Sequence, residues 1–123
     1  MSAFSPRQMF LLDQACKPIS EAFDGHVYLV GTATERGEYR DVDVRVILDD
    51  KTYDRLVKAI GQHAVYFLGL AIGQYLASLT SMPIDFQLQR MTEANDRHPG
   101  MRNPLGRRTL ASFRGDASPE GKQ

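Results

Sequence analysis

Cysteine is almost missing from this chain: Cys16 stands alone among 123 residues. A single thiol forms no internal disulfide, and no cysteine and histidine spacing suggests a zinc cage. An excess of either charge is missing too, since Lys plus Arg and Asp plus Glu both total 15. Bulk electrostatics therefore gives no general attraction to nucleic acid or to a membrane surface. No apolar run reaches the roughly 20 residues of a membrane span, and the longest, from Ala64 to Leu79, is interrupted by Gln74. The opening MSAFSPRQMFLL lacks the basic start, long apolar core and cleavage site of a secretory signal. These absences lead to the expectation of a cytoplasmic protein with no membrane partner. What is present, 42% hydrophobic and 24% charged residues, suits one compact domain able to bury its core without staples.

Ser5, Pro6 and Gln8 have the arrangement of a helix start, with Ser5 as N-cap and Gln8 positioned to complete a capping box. Met9, Leu12, Cys16, Ile19 and Phe23 recur at steps of three and four, and Pro18 divides the helix into two short pieces before Asp24-Gly25. The β-branched and aromatic run His26 to Val30 predicts a buried strand ending at Gly31. Residues 32–40 are polar and hold Gly37, which predicts a loop or a single helical turn. From Asp41 to Leu48 the pattern alternates: Val42, Val44, Val46 and Leu48 point one way, and Asp41, Asp43 and Arg45 the other. Only Ile47 breaks the alternation.

A short amphipathic helix through Tyr53, Leu56, Val57 and Ile60 follows, stopping near Gly61. Residues 62–80 predict a second helix, apolar nearly all round, for the core or for a homo-oligomer contact. Its Tyr66, Phe67 and Tyr75 are expected in the core, and Gly69 and Gly73 would admit a close neighbour. Ile84 to Gln89 predicts a third alternating strand, with Asp85, Gln87 and Gln89 on its polar side. From Thr92 no period survives. The expected organisation is a domain over 1–91 and an irregular, arginine-rich segment over 92–123, disordered from about Gly115. The order of elements predicts an α/β (α+β) fold, a small mixed β-sheet with helices packed on one face.

Residues two apart on a strand share a face, with side chains about 6–7 Å apart along it. Asp41 and Asp43 are therefore neighbours, and pairing with the strand of Asp85 would bring a third carboxylate to the patch. Anions so close repel unless a cation intervenes. Magnesium suits carboxylate oxygens combined with substrate phosphates. Gly31-Thr32, at the end of the preceding strand, supplies a backbone without bulk and a hydroxyl, which suits contact with phosphate oxygens.

The run LVGTATERGEYRDVDVRV resembles the signature of the nucleotidyltransferase superfamily that includes DNA polymerase beta and the minimal nucleotidyltransferases. The likeness lies in a strand ending in a glycine turn, a polar spacer, an Asp-apolar-Asp strand and a later acid. It covers residues 26–49 well and 84–89 loosely. The resemblance implies a nucleotidyltransferase-like fold and transfer of a nucleoside monophosphate from a nucleoside triphosphate such as ATP to a hydroxyl. The acceptor would be a protein, a nucleic acid or a small molecule. It implies that Asp41, Asp43 and Asp85 are catalytic and hold Mg2+ or Mn2+, and that Gly31 and Thr32 cradle the pyrophosphate.

Arg45 shares the acid face, where it would form a salt bridge to an acid or contact phosphate. Arg102, Arg107, Arg108 and Arg114 cluster without an intervening acid; Arg107 and Arg108 are the phosphate-binding candidates, against a charge-balancing tail. His98 has no partner spaced for a metal. The alternative function is a catalytically inactive relative that acts as a partner-binding, antitoxin-like module, or as a nucleic-acid-binding module through its arginines.

Overall fold

The computed structural model describes residues 5–31, 41–100 and 102–107. Helix α1 (Pro6–Ala15) begins with the expected reciprocal cap: Ser5 accepts from the Gln8 N–H, and Gln8 Oε1 accepts from the Ser5 N–H. Pro18 lies in the first turn of α2 (Lys17–Ala22), where its missing N–H costs nothing, and the chain breaks between the two helices at Cys16. Strand β1 (Val27–Val30) is followed by β2 (Val42–Leu48), α3 (Asp50–Ile60), α4 (Gln62–Thr80) and β3 (Ile84–Arg90). Gly61, at a φ of +91°, ends α3 and starts α4 in a conformation that suits glycine.

The result is a mixed α/β arrangement, a four-stranded sheet with helices packed against it in the strand order β3-β2-β1-β4. β1 and β2 run antiparallel, whereas β2 and β3 run parallel and are joined through α3 and α4, the long crossover that parallel pairing requires. In register, Val42, Val44 and Val46 face Ile84, Phe86 and Leu88. This apolar face meets α1, α2 and α4, with Leu12, Ile19, Val65 and Leu76 in the shared core. Gly69 and Gly73 let α4 rest on β3: a Cβ at Gly69 would lie 3.5 Å from the Phe86 carbonyl oxygen, and one at Gly73 3.4 Å from the Phe86 Cβ.

Two expectations are corrected beyond residue 90. The stretch expected to be irregular contains helix α5 (Met91–Arg97) and strand β4 (Asn103–Pro104), which pairs with β1. Local periodicity there is weak because α5 is short, buries Ala94 alone, and is held by tertiary contact. Helices also do not keep to one face, since α5 packs on β2 and β3 and accounts for the polar-side burial of Ile47 and Gln89. Ile47 interrupts the alternation for this reason. Leu105 is fully buried, and the Gly106 N–H donates to the buried Asp13 at 2.8 Å, so the chain up to there belongs to the packed body. The expected disorder from Gly115 falls outside the described residues.

The third correction concerns α4. Tyr66, Phe67 and Tyr75, expected in the core, are 65%, 69% and 39% exposed, and Leu70 and Leu79 are more than half exposed. A helix lying on one face of a sheet buries one side, here Val65, Gly69, Gly73, Leu76 and Thr80. An all-round apolar sequence then leaves the other side bare.

Candidate functional site

Asp43 and Asp85 are direct cross-strand neighbours, because the parallel register of β2 and β3 sets them opposite one another. Alternation puts both on the polar face. Asp41 is exposed and immediately precedes β2, near enough for its charge to act on Asp43. Burial raises the Asp43 carboxyl above its ordinary range. Arg45 opposes that rise; Asp85 and Asp41 reinforce it by repulsion, and Asp85 also lies within hydrogen-bonding reach.

Gly31 closes the other side of Asp43. Val30 pairs with Asp43 across β1 and β2, and Gly31 turns the chain there at a φ of +86°. A Cβ on Gly31 would lie 2.6 Å from Asp43 Oδ2 and would push the carboxylate aside, and the left-handed φ there favours glycine. Thr32, the remainder of the expected phosphate turn, and the spacer from Ala33 to Arg40 lie outside the described residues.

Arg45 is buried and engaged with Asp85: Nη2 meets Asp85 Oδ2 at 3.3 Å, and Nη1 donates to the Asp85 carbonyl oxygen at 2.6 Å and to that of Val44 at 3.0 Å. Of its two expected roles, the salt bridge is the one present. Arg45 Nε and Gln89 Oε1 are buried without a hydrogen-bond partner among the described residues. Arg102 donates to Asn95 Oδ1 and to the His98 carbonyl, and Arg107 donates to the Gly25 carbonyl. Arg107 therefore lies by the turn before β1 rather than at the acids, which sit at the far end of that strand. Arg108 and Arg114 fall outside the described residues.

His98 is a residue whose position the sequence did not suggest. It is half-buried at the end of α5, and burial together with Arg45, Arg102 and Arg97 lowers its pKa, against a smaller opposing influence of Asp85. It reaches the acid face by the return of the chain over the sheet, which no local pattern encodes.

Hard oxygen donors two at a time, half-buried and mutually repelling, suit a hard cation that also takes phosphate oxygens. Among the described residues no three His, Cys, Asp or Glu side chains gather closely enough to enclose a metal by themselves. Two clefts lie elsewhere: one beside β3 between α3 and α4, the other between the turn before β1 and the start of α3. Among the described residues no single helix is long and apolar enough to cross a membrane. No family profile, characterised protein or solved structure matches the chain.

Proposed function

We propose that the protein is a metal-dependent nucleotidyltransferase that moves a nucleoside monophosphate from a triphosphate to a hydroxyl acceptor. The observation that carries this reading is the in-register pair Asp43 and Asp85, with Asp43 pressed against Gly31 and its pKa raised by burial and by neighbouring acids. Asp43 and Asp41 would offer oxygens to Mg2+ or Mn2+, Asp85 would complete the set, and substrate phosphates would supply what the protein donors lack. When bound, the cation would neutralise the polyphosphate and polarise the reacting phosphorus.

The chain's own residues would position the reactants. Gly31 lets the Asp43 carboxylate lie against the turn that ends β1, and Asp85 would accept a proton from the acceptor hydroxyl. Arg45 fixes Asp85 from beneath through both its backbone oxygen and its carboxylate. A phosphate role for Arg45 would require that ion pair to open, so here Arg45 is a positioning residue. Arg107, bonded to the Gly25 carbonyl, stands apart from the acids and takes no part in this reading.

The engagement of Asp85 by Arg45 favours a second reading, a non-catalytic relative that retains the fold and docks a partner. Pyrophosphate release measured across the nucleoside triphosphates with Mg2+ or Mn2+ separates the two. The enzyme reading expects turnover that Asp43→Asn abolishes with the fold intact. Absence of turnover and of nucleotide-dependent heat stabilisation would overturn it and leave the binding module.

A further inference from the structure

β3 is the terminal strand of the sheet, and its outer edge presents main-chain groups to which no strand is bonded among the described residues. Which groups these are follows from the ladder. The Val42 N–H donates to the Pro83 carbonyl while Val42 itself pairs with Ile84, so β2 takes up the main-chain groups of Asp85, Gln87 and Gln89. The N–H and carbonyl groups of Phe86 and Leu88 therefore turn outward.

A groove of about 250 Å³ runs along this edge, lined by Phe86 and Leu88 and walled by Tyr66 and Leu70 of α4. Tyr53, Gln62 and Glu93 line it as well, and the Gln62 amide donates to the Tyr53 hydroxyl at 3.3 Å where α4 begins. These flanking side chains exclude a further strand. The space is below the roughly 300–1,000 Å³ of drug-sized sites and suits one planar ring system. Gly69 also lines the groove, and a Cβ there would lie 3.5 Å from the Phe86 carbonyl oxygen, so glycine leaves that oxygen without a side chain over it.

We propose that this groove binds a nucleobase. The Phe86 carbonyl accepts and the Leu88 N–H donates from one strand edge, two residues apart. A base carries the matching donor and acceptor side by side on its Watson–Crick edge: the amino group and N1 of adenine, or N1–H and O6 of guanine. Tyr66, 65% exposed, offers an aromatic ring for the base to stack on. The inference rests on the reading above, in which the ligand is a nucleoside triphosphate, and adds where its base is held. Asp85 immediately precedes Phe86, so the acid face and the groove share β3.

Adenosine and guanosine, which carry no phosphate and need no cation, test this separately from catalysis when titrated into the isotope-labelled full chain under NMR observation. The expected result is a saturable downfield shift of the Leu88 amide proton with one or both nucleosides, at a Kd on the order of 1 mM. Asp43→Asn should leave that binding unchanged. Tyr66→Ala should weaken it by about fivefold or more through lost stacking, with the fold intact because the side chain is exposed. Gly69→Ala should weaken it as well, by setting a methyl group against the Phe86 carbonyl. No response at Leu88 to either nucleoside would overturn the proposal, whatever pyrophosphate release shows. A response that both substitutions leave unchanged would equally overturn it. Nucleoside binding at Leu88, sensitive to both substitutions, in a chain that releases no pyrophosphate would uphold the base site and remove the enzyme reading.

Discussion

Gly31 and Asp43 constrain each other, since the left-handed φ of Gly31 disfavours any side chain and a Cβ there, 2.6 Å from Asp43 Oδ2, would displace the carboxylate. Gly31→Ala is expected to cost about 1–2 kcal/mol in backbone strain alone and to displace the Asp43 carboxylate. Urea denaturation measures the first effect, and loss of cation-dependent stabilisation the second. Asp43 itself makes a pH prediction. A carboxyl raised on folding binds more protons in the native state, so its contribution to stability falls as pH rises from the unfolded carboxylate value toward the higher folded value. Asp43→Asn should therefore raise the Tm at neutral pH without a divalent cation, and flatten the pH dependence over that interval. A lower Tm for that variant at neutral pH would contradict the account. The alternation along β2 that carries Asp43 and Arg45 was legible, although Asp41 itself precedes the strand. The opposition of Asp43 to Asp85 was not, because register between distant strands depends on how α3 and α4 close the crossover.

At the scale of elements, α4 carries a prediction of mixed sign. A Cβ on Gly69 would make ordinary contacts with β3, the nearest at 3.5 Å, so Gly69→Ala should be neutral or stabilise by about 0.5–1 kcal/mol through helix propensity. Gly69→Leu should lift the helix from the strand and cost about 1–3 kcal/mol. Thermal denaturation of the pair distinguishes this close approach from a glycine kept for flexibility, for which both changes would act in the same direction. Strands and long helices were legible because β2, β3 and α4 bury whole faces and so impose a period. Tyr66 and Phe67 were misplaced because an apolar residue reports a preference for burial and does not name the surface that satisfies it. α5 and β4 were missed because a helix of 7 residues and a strand of 2 derive their stability from the sheet beneath them.

For the whole molecule, the described residues after β3 complete the packed body. Leu105 is buried, Gly106 donates to Asp13, and a Cβ on Gly106 would come within 2.7 Å of the Cys16 carbonyl oxygen. Truncation after Arg90 should therefore expose Ile47, the edge of β1 that pairs with β4 and the buried carboxylate of Asp13, and lower stability markedly by urea denaturation. A truncated chain as stable as the full one would restore the boundary expected near residue 91. The mixed sheet and its helices were foreseeable from the order of elements. The closing of the polar face by α5 was not, because it arises from chain return over the sheet. The central claim is that the acids of that face bind a divalent cation together with a polyphosphate. Titration calorimetry of Mn2+ into protein mixed with a non-hydrolysable nucleoside triphosphate tests it most directly. The account predicts saturable binding to the wild-type chain that is lost in a folded Asp43→Asn variant; equal heats for the two proteins would contradict it.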